Sequence, residues 1–136
     1  MSTNSDLDSV VTELEEFGIL DEDPGTIKNR LQYALNDVAT AEGASPSELG
    51  VAEWMSELLD SVHGRICDQQ KGELKGDYQS LLNAGLTPGG VKLAASAILP
   101  IINLINPSFA VPTVAVYLAL FLLKVGLNNW CATPRP

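Results

Sequence analysis

Between Leu93 and Leu123 the chain carries no charged residue, and sixteen of those positions are Leu, Ile, Val or Phe. Leaving each such side chain in water forfeits about 1.5–3 kcal/mol. Summed over the stretch this is at least ~24 kcal/mol, more than the ~5–15 kcal/mol net stability of an ordinary domain. The segment must therefore be covered, by lipid or by protein, and that requirement limits every fold open to the chain.

Turn signals divide the segment in two. Thr87-Pro88 is a cap followed by a proline suited to a first helical position. Asn106-Pro107-Ser108 reads as a turn, and Pro112 fits the start of a further helix. The expectation is a helical hairpin, Pro88 to Ile105 and Pro112 to Trp130, with Pro100 kinking its first arm. Its covered surface would be built from Leu93, Ile98, Leu99, Ile101, Ile102, Leu104, Ile105, Phe109, Val114, Leu118, Leu120, Phe121, Leu122 and Trp130. Residues 132–136, with two prolines, read as a non-helical end.

The preceding part has a different character. All 17 acidic residues of the 136-residue chain lie between Asp6 and Asp77, against five basic ones, so residues 1–77 carry −12. Residues 78–136 carry only Lys92, Lys124 and Arg135, or +3. Such asymmetry points to two environments or two partners. It also argues against nucleic acid, because a phosphate backbone requires a basic patch.

Apolar residues in this acidic part recur with helical spacing, and no run alternates with period two long enough for a strand. Leu7, Val10, Val11, Leu14 and Phe17 form one stripe, ended by Gly18. Asp23-Pro24 opens a second helix whose face is Ile27, Leu31, Ala34, Leu35 and Val38, with Gly43 as its stop. Ser45-Pro46-Ser47-Glu48 is a capping box, and Ala52, Met55, Leu59, Val62 and Ile66 follow at spacings of 3 and 4. A short fourth helix is expected from Glu73 to Ala84. The fold class is thus all-α, a single domain of five or six helices. Residues 1–85 form an acidic amphipathic region and residues 86–136 the apolar hairpin.

Two covers fit the hairpin. A bilayer needs about 20 apolar residues per span. Pro107 to Leu127 meets this with one charge, Lys124, near its end, while Pro88 to Ile105 is marginal at 18 residues. The N-terminal helices, with three apolar stripes, are the other cover. Gly85, Gly89 and Gly90 stand between the two parts. They read as a connecting loop, or as the joint on which a buried hairpin would swing out.

Little in the chain suggests catalysis. Asp60, His63 and Cys67 share a helix face and, with Cys131, have the donor types of a zinc site, but the tight Cys-x-x-Cys or His-Glu-x-x-His signature is missing. A polar face with a partly exposed imidazole is the plainer expectation. Neither cysteine has a context that would lower its pKa, so no Cys–His nucleophile is read here. Asp21-Glu22-Asp23 lacks the alternating oxygens of a calcium loop. Gly85 to Gly90 lacks the strand before it and the Gly-Lys-Ser/Thr after it that a phosphate loop requires. No catalytic, cofactor or metal residue is assigned.

Met1 to Asp8 is polar and acidic, without the basic and apolar regions of a signal peptide. A cytoplasmic protein with both thiols reduced is the expectation, at a membrane if the hairpin inserts. The function expected is therefore non-enzymatic: association with or insertion into membrane through the hairpin, with the acidic helices toward the cytoplasm or a partner protein. The alternative is a soluble helical adaptor or assembly subunit, with the hairpin as core or as an interface between copies of the chain.

Overall fold

The structure, a computed structural model, describes residues 3–41, 51–67 and 86–132. Six α-helices fall among them: α1 (Thr3–Glu16), α2 (Pro24–Ala41), α3 (Val51–Cys67), α4 (Pro88–Ile105), α5 (Pro112–Val125) and α6 (Leu127–Ala132). Two 3₁₀ turns, Ile19–Asp21 and Pro107–Phe109, join α1 to α2 and α4 to α5. There is no strand among the described residues. The expected capping box at Ser45, the stop at Gly43, the fourth helix at 73–84 and Gly85 lie outside the described residues.

The helix starts follow local chemistry. Asp23 accepts from the amide and hydroxyl of Thr26, which supplies one of the orphan amides at the N-terminus of α2 with a partner. These bonds to Thr26 favour the ionised carboxylate and hold the pKa of Asp23 below its usual value. Thr87 accepts from the amide of Gly90 at 3.0 Å and opens α4 in the same way. Asn106 turns the chain by accepting from the amide of Ser108 at 3.1 Å. α4 runs through Pro100, whose ring faces solvent and whose nitrogen cannot bond the Ser96 carbonyl.

One apolar core joins all six helices. α5 lies at its centre, packed against α4, α2 and α1. Eight of its fourteen residues are buried: Val114, Ala115, Val116, Leu118, Ala119, Leu120, Phe121 and Leu122. A helix apolar around most of its circumference belongs inside, whereas a one-sided stripe belongs at the surface. α1, α2 and α3 are of the second kind. They contribute Leu7, Val11 and Leu14, then Ile27, Leu31 and Leu35, then Met55, Leu58, Leu59, Val62 and Ile66 to the core. Their acids Glu13, Glu15, Glu16, Asp37 and Glu57 face outward.

Phe17 departs from the expected stripe and is 73% exposed. The reason is local: α1 closes at Glu16, and Gly18 takes a left-handed φ of 68°. That backbone turn rotates Phe17 away from Leu14 and delivers Ile19 to the core in its place.

Ion pairs among the described residues fasten the bundle's outside. Lys92 Nζ of α4 lies 2.8 Å from Asp8 of α1. Arg30 of α2 holds Glu22 with two donors, its Nη2 at 2.8 Å from Oε2. The bond from Arg30 lowers the carboxylate pKa of Glu22. The Arg30 guanidinium also faces the Tyr117 hydroxyl of α5, whose pKa half-burial raises while Arg30 opposes the rise.

Removing core volume at the centre should cost most. Leu118 is fully buried, so Leu118→Ala should lose about 2–5 kcal/mol in denaturant unfolding. Leu93→Ala, at 46% exposure, should lose within about 0.5 kcal/mol. Equal losses at the two sites would contradict a core centred on α5. The lowered pKa of Glu22 means that its pairing supports the fold above the ordinary glutamate range and is lost as pH falls through the folded value. Wild type should accordingly lose stability on acidification that Glu22→Gln does not, a difference of at most about 1 kcal/mol for a surface pair, read from unfolding midpoints at neutral and acidic pH.

Candidate interaction surface

The structure sorts the hairpin residues into two sets. Ile98, Ile101, Ile102, Phe109, Val114, Leu118, Leu120, Phe121, Leu122 and Trp130 are buried in the core of the bundle. Leu99 and Ile105 are partly buried against it. Leu93 and Leu104 face outward, at 46% and 59% exposure. The two sets follow from geometry. α4 lays one face on α5, α1 and α3, and the opposite face carries Leu93, Ala97, Pro100 and Leu104 at spacings of 4, 3 and 4. These positions fall on one side of a helix.

α4 therefore offers an apolar outer stripe, with Leu86 at 42% exposure just before it. The helix is 18 residues long with a mean hydropathy of 1.5, and 39% of it is buried. It is long and apolar enough to cross a membrane, a test that core helices also pass. α5, at 14 residues, is shorter than a span requires. Gly89 and Gly90, read from sequence as a connecting loop or joint, stand in the first turn of α4, and Gly90 is buried there.

Hollows open on the surface of the described residues. One, of about 350 Å³, lies between α3 and the turn after α4 and is lined by Glu57, Leu58, Asp60, Ser61, Ile105, Asn106 and Phe109. Another, of about 180 Å³, lies between α2 and α5 beside Arg30, Tyr33, Asp37 and Tyr117. Tyr33, at 72% exposure, flanks it.

The helix expected from Pro112 to Trp130 is broken at Gly126. With φ 92° and ψ 126° this glycine leaves the helical region at a conformation that side chains rarely tolerate. The break starts α6 in a new direction and brings it to α3. Trp130 then lies edge-on to His63, ring centroids 4.8 Å apart. His63 Nε2 donates to the Trp130 carbonyl at 3.2 Å. His63 is buried at 7% exposure, which corrects the expectation of a partly exposed imidazole, because Trp130 covers it from the far end of the chain.

One turn along α3, Cys67 forms a disulfide with Cys131, their Cα atoms 5.4 Å apart. This corrects the expectation of two reduced thiols. The physical reason is that α6 folds back onto the end of α3, placing the pair within disulfide reach. A sequence separation of 64 residues hides that proximity, and an even cysteine count is its only trace in the sequence. Asp60, His63, Cys67 and Cys131, weighed above as metal donors, are thus partly committed to each other and to the Trp130 carbonyl. Among the described residues no three His, Cys, Asp or Glu side chains are placed to hold a metal ion. No protein-family model matches the chain, and neither a curated protein nor a solved structure does so.

Proposed function

We propose that this chain is a non-enzymatic helical assembly protein that keeps the apolar hairpin as its own core and meets a partner protein along the outer stripe of α4. The observation supporting this reading is the enclosure of α5. Val114 through Leu122 already have apolar neighbours from α1, α2 and α4. Transfer to lipid would return little, since protein-buried side chains are already out of water. Among the described residues of α4, Leu93, Pro100 and Leu104 stay exposed on its outer side. Apolar surface of this kind, rimmed by polar groups, marks a contact region. The exposed acids of α1 and α2 keep such a bundle dispersed in water.

A membrane-directed reading is favoured by one observation, the span-like length and hydropathy of α4 with 39% of the helix buried. Under it, α4 would meet lipid, with α1 and α2 as a removable sheath.

Detergent-free fractionation followed by size-exclusion chromatography with light scattering separates the two. A sharp peak that floats with no vesicles supports the assembly reading, and material that pellets with membranes overturns it. Leu93→Glu with Leu104→Glu should leave the unfolding midpoint within a few degrees of wild type, since both sites face solvent. Under the membrane reading the same variant would abolish vesicle flotation.

A further inference from the structure

The geometry points to a thiol-reversible clasp at the C-terminal end of the bundle. The Cys67–Cys131 disulfide locks α6 onto α3, and its reduction frees α6, with Trp130, while the rest of the bundle stays folded.

The inference rests on the shortness of α6 and on where the disulfide joins it to α3. It is six residues long, far too short to persist as an isolated helix. Gly126 breaks its backbone from α5 at φ 92°, so the rigidity of α5 does not extend into it. Asn129 Nδ2 donates to the Val125 carbonyl at the end of α5, and toward α3 the described contacts are Trp130 against the His63 ring, the bond from His63 Nε2 to the Trp130 carbonyl, and the disulfide beside them. All three join α6 to one turn of α3, His63 to Cys67. Among the side chains of α6 that are described, Trp130 and the partly buried Cys131 join the core centred on α5. Opening the clasp therefore removes one edge of the core and leaves its centre intact. Local opening of this kind belongs to segments with few buried contacts.

Both cysteines are partly rather than fully buried, so a small dithiol can reach the bond. A thiolate of the reductant attacks one sulfur and forms a mixed disulfide, and the other cysteine leaves as a thiolate and takes up a proton. The second thiol of the reductant then displaces the remaining protein sulfur. The protein disulfide gains two electrons and two protons, and the dithiol becomes a cyclic disulfide. In the open state Trp130 and the α3 surface around His63 meet solvent, and the protein acquires a second apolar surface distinct from the outer stripe of α4. The clasp stands independently of which partner covers that stripe.

The test uses the full chain with Trp54→Phe, so that Trp130 alone reports in fluorescence. Non-reducing mass analysis of the purified protein should show no free thiol. Dithiothreitol should shift Trp130 emission to the red and raise the rate of proteolytic cleavage within residues 126–132 at least tenfold, with far-UV circular dichroism nearly unchanged. Oxidised glutathione should reverse both effects. Cys131→Ser should show the open signature without reductant and ignore its addition. Free thiols in the air-purified protein would overturn the proposal. So would unchanged Trp130 emission and cleavage after complete reduction. Loss of the whole helical signal on reduction would also overturn it, making the bond a staple for the entire fold.

Discussion

α5 meets water along one narrow strip, Thr113, Tyr117 and Lys124, and the positions of the other helices follow from covering the rest of it. Its eight buried residues, from Val114 and Ala115 to Phe121 and Leu122, cover most of the helix circumference. α4 takes one side through a short turn, and α1 and α2 take others with the apolar stripes of otherwise acidic helices. The alanines at 115 and 119 are fully buried, and small side chains let neighbouring helices approach closely at such positions. The hydrophobic term is non-directional. The arrangement is made specific by the directional features around it: the Asp23 and Thr87 caps, the Asn106 turn and the Lys92–Asp8 pair.

The second organising contact is the clasp between α3 and α6. A bond across 64 residues restricts the unfolded chain, an effect worth about 4 kcal/mol in the chain-entropy account. The disulfide connects helices that the centre of the core does not tie together. α3 reaches the hairpin mainly through α4, and α6 is separated from α5 by Gly126. His63 and Trp130 add a buried polar bond and an aromatic contact at the same point. The molecule thus has a centre held by apolar packing and one edge held by covalent and polar chemistry. The two respond to different conditions, the centre to temperature and denaturant and the edge to thiols.

The charge distribution supports both features. The acids sit on the outer surfaces of α1, α2 and α3, where they are solvated, while the uncharged segment lies within. Among the described residues, the apolar strip from Leu93 to Leu104 that remains outside follows from the composition of α4, a helix with Lys92 as its single charge. Burial of 39% of such a helix leaves surface that a partner chain would cover at little cost in desolvation.

Much of this was legible in the residues alone. The helical class, the turn at Asn106, the caps at Asp23 and Thr87 and the stripes of α1, α2 and α3 depend on neighbours within a few positions, which is the range over which helix signals act. The need to cover Leu93 to Leu123 was equally plain, because it is set by composition. Three features were decided only in the folded molecule. Which side chains of the hairpin lie inside depends on which helices α4 and α5 meet, so Ile98 and Leu104, similar as residues, have opposite fates. The break at Gly126 was invisible because an isolated glycine in an apolar helix is often tolerated, and only the docking of α6 on α3 requires its positive φ. The pairing of Cys67 with Cys131, and with it the burial of His63, joins positions 64 residues apart. Sequence spacing carries no information about such a contact, since it exists only once the chain has closed around α5.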